Sequence, residues 1–170
     1  PFPVHRLDRD TSGCLLLARN PKALKRYSAA FEARGVEKRY LGIVAGLLEA
    51  EEGTIALSLS KISSAEKGWR MIPAKKGKPA VTHWRKLAVN GGHTLVEFRP
   101  ETGRTHQIRV HAASGLGAPL VGDPIYGTGK GAARTMLHAA GLTIQREGKP
   151  PIEATAPVPA DFRALGFSDG

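Results

Sequence analysis

Asp8 is the side chain in this sequence whose type and setting are best suited to chemistry. It lies in the segment HRLDRDTSG, between Arg6 and Arg9 and just before a Thr-Ser-Gly turn. A carboxylate in such a setting can act as a nucleophile or as a base. An aspartate before a turn can also serve only to shape the turn, since its side chain bonds nearby backbone groups. Asp10, which is closer to the turn, fits this structural role better than Asp8 does.

A second segment, TGRTHQIRVH, supplies cations that could face an ionised carboxylate. It holds Arg104 and Arg109 in a stretch that is able to begin a helix. A carboxylate that stays ionised in a partly buried cleft needs a cation held opposite it. Two unit charges about 4 Å apart attract by about 4 kcal/mol at an effective dielectric of about 20, before the desolvation cost. We therefore expect the two segments to border one cleft.

The composition favours one basic domain that binds a polyanion. The chain has 170 residues, with 25 Lys and Arg against 15 Asp and Glu, for a formal charge of +10. Each phosphate that a basic surface neutralises releases counterions, so a nucleic acid is the natural partner; a solvated basic surface is the plain alternative. Aromatic residues make up only 6% of the chain, which argues against an extended base-stacking platform. Recognition would then depend on phosphate contacts and a small pocket.

Several other kinds of site are excluded or disfavoured by the sequence. Cys14 is the only cysteine, so an intramolecular disulfide and a CxxC zinc site are impossible. His106 and His111 are five residues apart, and therefore do not share the helical face that a metal site uses. The longest apolar run, residues 14–18, is too short to span a bilayer, and no signal-peptide pattern is present. We expect no metal, no membrane contact and a cytoplasmic location.

Strands outnumber helices in the periodicity of the chain. A helix is predicted after Asn20, its cap, with Pro21 at the first position and Gly35 at the exit. Residues 61–78 are predicted as an exposed loop, and Thr105 as the cap of a short helix that ends near residue 113. Strands are predicted over residues 13–19, 39–45, 54–59, 81–89, 94–99, 136–144 and 152–156, with a hairpin at 90–92 and a terminal helix at 161–165. Because strands and helices do not alternate regularly, we predict an α+β fold with a mainly antiparallel or mixed sheet.

Several segments, in the same order along the chain, resemble the RluA family of RNA pseudouridine synthases. HRLDRDTSG resembles the family's catalytic motif, whose essential aspartate falls on Asp8. EKRYLGIVAG resembles the tyrosine motif, whose active-site tyrosine falls on Tyr40. TGRTHQIRVH resembles the motif whose arginine, here Arg109, pairs with that aspartate. Further similarity lies in KPAVTHW, APLVGDPIYG, LHAAGL and APVPADF.

The resemblance implies a fold, a reaction and a domain. The fold is α+β, with a mixed, mainly antiparallel sheet, flanking helices and a central catalytic cleft. The reaction converts uridine in RNA to pseudouridine and uses no cofactor and no metal. We therefore predict one catalytic domain over residues 1–170, without the N-terminal strand segment carrying Lys-Pro-x-Gly that family members have. Its target would be a uridine of ribosomal or transfer RNA, and nothing in the sequence demands more than a monomer.

The resemblance and the residue types together suggest roles around Asp8. Arg109 would hold Asp8 ionised and oriented. Tyr40 offers a ring for the uracil face and a phenol oxygen that could move a proton at carbon 5. Arg6 could fill the space left by a flipped base or contact a phosphate, and Leu7 could wall the pocket. The other predicted RNA- or substrate-binding residues are Arg104, His106, Gln107 and Ile108, of which His106 and Gln107 could instead support the arginines.

Two other functions stay open from the sequence. A non-catalytic basic RNA-binding domain explains the charge but gives the set of Asp8, Tyr40 and Arg109 no purpose. A glycosidase breaks the same kind of bond and pairs two carboxylates across it; Glu97 and Glu101 are available, but neither lies in a motif like that around Asp8. A glycosidase would release the free base, whereas a synthase would keep the base in the RNA.

Overall fold

A computed structural model of the chain describes residues 1–168, which form one large sheet, two small sheets and a few short helices. The strands of this region are β1 (Phe2–Pro3), β2 (Ser12–Gly13), β3 (Leu17–Ala18), β4 (Val36–Ala45), β5 (Glu52–Ile55), β6 (Leu59–Ser64), β7 (Gly68–Pro73), β8 (Thr82–Asn90), β9 (His93–Pro100), β10 (Leu137–Arg146) and β11 (Lys149–Thr155). The helices are α1 (Pro21–Glu32), α2 (Gln107–Val110), which a π-helical turn over His111–Gly115 continues, and α3 (Ala160–Ala164). Within the described region, no helix has the length and apolar character needed to cross a membrane.

The large sheet confirms the predicted fold class. Its strand order is β11-β10-β4-β9-β8-β5, with antiparallel neighbours, and β2 adds a parallel pairing to β10. The predicted hairpin joins β8 to β9 through Gly91 and Gly92, which both have a positive φ. Glycine reaches this backbone region at little cost. The fold is therefore α+β with a mixed, mainly antiparallel sheet, as predicted.

Strand β4 lies inside the sheet and sends alternate side chains to two cores, as the period of two in a strand requires. Tyr40 and Val44 contact one core, whereas Leu41 and Ile43 contact the other. The first core also contains Val96, Phe98, Ile108 and Leu120, and the second contains Leu95, Met136, Phe162 of α3 and Phe167. Because both faces of β4 are covered, the strand is a firmly packed base for Tyr40.

Helix α1 begins as the sequence predicts. Asn20 caps it by accepting a hydrogen bond from a first-turn backbone N–H at 2.9 Å, and Pro21 occupies its first position. At its end, Arg34 rather than Gly35 takes the left-handed conformation, with φ of +58°. Phe31, in the last turn, packs against the apolar cluster formed by the ends of β4 and β10. The helix therefore flanks the sheet close to the HRLD segment.

Four local predictions are wrong. Residues 13–19 are not one strand. The chain pairs with β10 only at β2, then leaves the large sheet and pairs with β1 at β3. Residues 54–59 are divided between β5 and β6, since the chain turns there from the large sheet into the hairpin β6–β7. Most of that hairpin lies in residues 61–78, where exposed side chains hide the strand periodicity. Thr105 does not cap α2, which instead follows His106 with φ of +55° and no side-chain capping bond.

Candidate active site

A cleft of about 990 Å³ lies on the Tyr40 face of the large sheet and gathers most of the predicted site residues. Its walls include Asp8, Tyr40, Arg6, Leu7, Arg104, His106, Gln107 and Ile108. Lys38, Lys61 and Trp69, which no motif singled out, line it as well. Arg109 is buried and does not line the cleft. The structure thus brings eight of the nine predicted site residues to one cavity and places the ninth outside its lining.

Asp8 opens a tight turn that fixes its backbone. The Thr11 N–H donates to the Asp8 carbonyl oxygen at 3.0 Å, and Asp10 takes a left-handed conformation with φ of +70°. Just beyond the turn, Gly13 has φ of +112°, and a Cβ there would collide with the carbonyl group of Ala139 on β10. Only glycine lets the chain pass this close to β10. The Thr-Ser-Gly part of the motif therefore anchors the Asp8 turn to the large sheet.

His5 anchors the same segment on its other side. Its Nε2 accepts a hydrogen bond from the Leu16 N–H at 3.0 Å, and its ring stacks on Phe31 of α1 with the ring centroids 4.5 Å apart. Burial and, to a smaller extent, the charge of Lys38 lower the pKa of His5, so its ring is a neutral acceptor near pH 7. The histidine of the motif therefore holds the segment that carries Asp8.

Arg134 holds the Asp8 turn through its guanidinium group. It donates to the Asp10 carbonyl oxygen at 2.7 Å, to Ser12 Oγ at 2.9 Å and to the Leu137 carbonyl oxygen at 3.1 Å. It also forms a two-bond ion pair with Asp161 of α3. A planar group with five donors can make all these bonds at once. No motif surrounds Arg134, so the sequence does not distinguish it from the other cations of the chain.

Gln107 is buried and uses its hydrogen-bonding groups within the protein. Its Oε1 accepts from Thr102 Oγ1 at 2.6 Å and from the Arg104 N–H at 3.0 Å. Its Nε2 donates to the Val81 carbonyl oxygen and to Thr82 Oγ1. Both amide protons and both acceptor positions of the side chain are thus occupied. Gln107 ties the loop that carries Arg104 to the start of β8.

Arg109 does not pair with Asp8, contrary to the sequence prediction. Its Nε and Nη2 donate to the two carboxylate oxygens of Asp123 at 2.9 and 2.7 Å, and the two side chains are only 7% and 0% exposed. Oδ1 of Asp123 also accepts from the backbone N–H groups of Ile125 and Tyr126. A carboxylate that accepts two parallel hydrogen bonds is a strong partner for a buried guanidinium group, and Asp123 is that carboxylate here. In the described part of the chain, Arg109 forms its ion pair with Asp123, and Asp8 stays beyond 4 Å of its nitrogens.

The negative charge of Asp8 nevertheless acts on both Arg109 and Tyr40. Burial alone would lower the pKa of Arg109, but the hydrogen bonds and charge of Asp123, followed by the charge of Asp8, raise it. Burial and, next, the charge of Asp8 raise the pKa of Tyr40 to about 12. Tyr40 is therefore a neutral phenol near pH 7. The three residues form one electrostatically coupled group, although Asp8 and Arg109 share no ion pair.

His106 belongs to an aromatic cluster on the cleft wall. Its ring stacks on Trp69 of β7 with the centroids 4.9 Å apart, and it meets the ring of Tyr126 edge-on at 5.5 Å. The Tyr126 hydroxyl accepts from the Met71 N–H at 3.0 Å and shares a hydrogen bond with His106 Nδ1 at 2.7 Å. Burial, followed by the charge of Arg109, lowers the pKa of His106. Tyr126 and Asp123 both lie in APLVGDPIYG, so the resemblance indicated the right segment without indicating these residues.

The remaining predicted residues differ in their exposure. Arg6 is exposed and Leu7 is half-buried, whereas Ile108 is buried in the core that borders the cleft. Arg104 donates from Nε to the Pro79 carbonyl oxygen at 2.8 Å. That bond fixes the base of its guanidinium and leaves further N–H groups for a ligand.

Lys38 and Lys61 add positive charge to the cleft walls. Lys38 is half-buried, its Nζ lies 3.5 Å from the Thr102 carbonyl oxygen, and burial lowers its pKa. Lys61 lies on the hairpin β6–β7 beside Trp69. Together with Arg6 and Arg104, these cations give the cleft the charge that a phosphate backbone needs. Residues 1–168 contain no cluster of three or more His, Cys, Asp or Glu side chains that could hold a metal ion.

The two carboxylates considered for a glycosidase do not form a catalytic pair. Glu97 is buried and forms ion pairs with three arginines: Arg39, Arg85 and Arg99. Burial alone would raise the pKa of Glu97, but the bonds and charges of Arg39 and Arg99 lower it. A general acid for glycoside cleavage needs a raised pKa, so Glu97 is unsuited to that role. Glu101 is exposed and pairs with His83 instead.

Comparisons with known proteins agree on one family. The sequence profile of the RNA pseudouridylate synthases matches residues 1–114. An uncharacterized RNA pseudouridine synthase of Zymomonas mobilis is 60% identical over 169 residues, which cover 98% of this chain and 77% of that protein. The ribosomal large subunit pseudouridine synthase D of Xanthomonas campestris is 39% identical, over 95% of this chain and 53% of its own length. The structure of human RNA pseudouridylate synthase domain containing 1 superposes with a TM-score of 0.79 at 32% identity, over 92% of this chain and 68% of that one. The chain thus spans about half the length of several curated relatives that it matches.

Proposed function

This chain belongs to the RNA pseudouridylate synthase family, and we propose that it isomerises uridines in RNA to pseudouridine with Asp8 as the catalytic carboxylate. The observation that carries the proposal is the position of Asp8. It is a half-buried carboxylate on a basic cleft, and its charge acts on Tyr40 and on the buried cation Arg109. The catalytic domain would extend over residues 1–170.

The proposed reaction breaks the bond between uracil N1 and ribose C1′, rotates the base and joins C5 to C1′. Asp8 could begin it by attacking C1′ as a nucleophile, which forms an ester bond that breaks when C5 joins C1′. Alternatively, Asp8 could remove the 2′ proton as a base and return it to C2′ as the new bond forms. In either route, one proton leaves C5 and one is gained at N1, so the product is an isomer of the substrate and the atoms balance. The arrangement of residues supports both routes equally.

Arg109 and Tyr40 would assist Asp8 in different ways. Arg109, held by Asp123, would attract and orient the Asp8 carboxylate through its charge rather than through a hydrogen bond. Tyr40, a neutral phenol with a pKa of about 12, suits a ring packed on the uracil face and a hydrogen-bond donor. To accept the proton from C5, its phenol would first have to pass its own proton to another group.

The other predicted binding residues divide into ligand contacts and supports. Arg6 and Arg104 would contact the RNA backbone, and Arg6 could also fill the space that a flipped uridine leaves. Leu7 and Ile108 would provide the apolar wall of the base pocket. We assign Gln107 to holding the loop, because its hydrogen-bonding groups are occupied within the protein.

The substrate class follows by analogy with a relative. The Xanthomonas campestris relative is named for the large ribosomal subunit, so we propose large-subunit ribosomal RNA as the substrate, with transfer RNA as the alternative. That the chain is a monomer and lies in the cytoplasm stays a prediction.

The proposal is tested with unmodified RNA labelled with tritium at carbon 5 of uridine. Transcripts of large-subunit ribosomal RNA and of transfer RNAs are incubated with the wild type, Asp8→Asn and Asp10→Asn. Asp10→Asn is the matched control, because it makes the same change in the same turn at an exposed residue, and asparagine tolerates the left-handed conformation found there. We expect the wild type and Asp10→Asn to release tritium, with the base still attached to the RNA, and Asp8→Asn to release none while binding RNA as tightly.

Each alternative function has its own outcome in this assay. Release of free uracil from the RNA would identify a glycosidase. Tight RNA binding by the wild type without tritium release from either transcript would favour the non-catalytic RNA-binding domain. Tritium release by Asp8→Asn at the wild-type rate would contradict the role of Asp8 while leaving the reaction itself established.

A further inference from the structure

We propose that Trp69, on the hairpin β6–β7, stacks on a base of the RNA next to the target uridine, and that Lys61 beside it contacts the adjoining phosphate. The proposal rests on the proposed function, because it takes the cleft to be the RNA-binding site. It also revises the expectation, drawn from the low aromatic content, that recognition would use only phosphate contacts and a small pocket.

The register of the hairpin places Trp69 and Lys61 on one face. Trp69 pairs with Ser63, and Lys61 pairs with Met71, so these four residues alternate with the pair of Ile62 and Arg70. Cross-strand partners point to the same side of an antiparallel ribbon. Trp69 and Lys61 line the cleft, whereas Ile62 does not. The hairpin thus directs one indole and one ammonium group toward the cleft.

Trp69 is unusually exposed for its type. It is 42% exposed, whereas Trp84, packed in the core, is 9% exposed. An exposed indole on a cleft wall is costly in water unless a ligand covers it, and a tryptophan ring that is held in place stacks well on any base. Its exposure therefore indicates a surface that a flat apolar partner can cover.

The indole is held ready for such a partner by the residues behind it. His106 stacks on Trp69 at 4.9 Å with an interplanar angle of 24°. His106 in turn is bonded to the Tyr126 hydroxyl, which the Met71 N–H fixes. Rigid aromatic platforms lose little conformational entropy when a ligand binds. The chain of contacts from Met71 to Trp69 therefore makes a preformed stacking surface.

Lys61 supplies the charge that a nucleotide requires next to this surface. Its Nζ lies 4.5 Å from the centroid of the Trp69 ring. A lysine has a flexible four-carbon stem, so the ammonium group can move from the ring to a phosphate when a base covers the indole. RNA, rather than a protein partner, fits this combination, because the same cleft carries Lys38, Arg6 and Arg104.

The proposal is tested by binding measurements that do not depend on activity. The ligands are a fluorescein-labelled short oligouridylate and an abasic ribose-phosphate oligomer of the same length and charge. The proteins are the wild type, Trp69→Ala, Trp69→Phe, Lys61→Gln and, as the matched control on the other face of the hairpin, Ile62→Ala. Melting temperatures of all variants are measured in parallel.

We expect Trp69→Ala to weaken oligouridylate binding about 5- to 150-fold, the range for the loss of one base stack, and to leave binding of the abasic oligomer unchanged. Trp69→Phe should recover most of the affinity, and Ile62→Ala should behave as the wild type. Lys61→Gln should weaken both ligands equally and reduce the slope of log affinity against log salt by about one. In the wild type, oligouridylate but not the abasic oligomer should quench the emission of Trp69, while the buried Trp84 contributes a constant signal.

Equal affinity of Trp69→Ala and the wild type for oligouridylate, or an equal loss for both ligands, would overturn the proposal. If Trp69→Ala folds poorly, the quenching measurement on the wild type decides: an unchanged emission on saturation with oligouridylate would also overturn it. Failure of the proposed function is recognised separately. The protein would then release no tritium, but the effect of Trp69→Ala on the affinity for oligouridylate, relative to the abasic oligomer, would be unchanged.

Discussion

Replacing Asp123 with asparagine removes the carboxylate that neutralises buried Arg109 and changes little else. Asparagine has nearly the same size, and its Oδ1 can still accept from the Ile125 and Tyr126 N–H groups, as Asp123 does. Its Nδ2, however, would face Arg109 Nε, which donates to Oδ2 of Asp123 at 2.9 Å. In the variant, the Arg109 Nε–H would therefore face the Nδ2 donor of the new asparagine. The buried guanidinium group would also have no opposite charge beside it.

The burial of this pair sets the magnitude of the effect. The side chains of Arg109 and Asp123 are 7% and 0% exposed, so water cannot replace the lost carboxylate. Breaking a buried ion pair by removing one partner costs about 3–5 kcal/mol. For a domain of this size, about 1 kcal/mol corresponds to about 2–4 °C in melting temperature. We therefore expect Asp123→Asn to lower the melting temperature by about 6–20 °C.

Asp161→Asn is the matched control for this measurement. Asp161 also forms a two-bond pair with an arginine, Arg134, but Asp161 is 43% exposed. Exposed ion pairs contribute only about 0–1 kcal/mol, so this variant should melt within a few degrees of the wild type. Chemical denaturation of both variants, with the free energy of unfolding extrapolated to water, provides the comparison. A free-energy loss for Asp123→Asn no larger than that for Asp161→Asn would refute the argument from burial.

The same pair predicts a dependence on pH. Burial alone would raise the pKa of Asp123, but the hydrogen bonds and charge of Arg109 outweigh it and lower the pKa below the ordinary value of 3.8. The stabilisation by a carboxylate with a lowered pKa is fully present above its unfolded pKa and is lost as the pH falls through its folded pKa. The difference in the free energy of unfolding between the wild type and Asp123→Asn should thus be constant from about pH 7 to pH 5. It should narrow below about pH 4. A free-energy difference that widens on acidification would contradict the lowered pKa of Asp123.

Three further predictions concern the residues around Asp8. Gly13→Ala should lower the melting temperature far more than Gly68→Ala, because a Cβ at Gly13 meets a β10 carbonyl whereas one at Gly68 meets nothing within 4 Å; equal shifts would contradict this. Arg134→Lys should lower kcat for uridine conversion with KM unchanged, since lysine lacks the planar fork that bonds the Asp10 carbonyl oxygen and Ser12 Oγ together, whereas Asp161→Asn should keep kcat. Tyr40→Phe should slow tritium release about 10²–10⁴-fold with RNA affinity unchanged, if the phenol moves the C5 proton; full activity would limit Tyr40 to packing on the base.

The fold class and the cleft were predictable because local patterns specify them. The alternation in β8 and β9, with two glycines at the turn between them, identifies a hairpin from neighbouring residues alone. Asn20 and Pro21 mark the start of α1 in the same way. The resemblance of ordered motifs then indicated that Asp8 and Tyr40 belong to one site, and both line the same cleft.

The partners of the site residues were not predictable, because they depend on contacts between distant segments. Arg109 bonds Asp123, which lies 14 residues further along in a loop without regular structure. Arg134 bonds the backbone of Asp10 across 124 residues of sequence. The hairpin β6–β7 was missed for a different reason: its strands are largely exposed, and hydrophobic periodicity reports burial.

Asp8, the proposed catalytic residue, and the residues that hold the loops around it form separate sets in this domain. Asp8 lies on the cleft, whereas Arg134, Gln107 and Asp123 bond backbone or buried groups of the loops around it. An irregular loop has no strand ladder to satisfy its backbone, so side chains from distant segments supply bonds to it. Every buried side-chain nitrogen and oxygen within residues 1–168 has a hydrogen-bond partner. A change at Arg134 should therefore alter the rate of the reaction without altering RNA affinity, and a change at Trp69 should do the reverse.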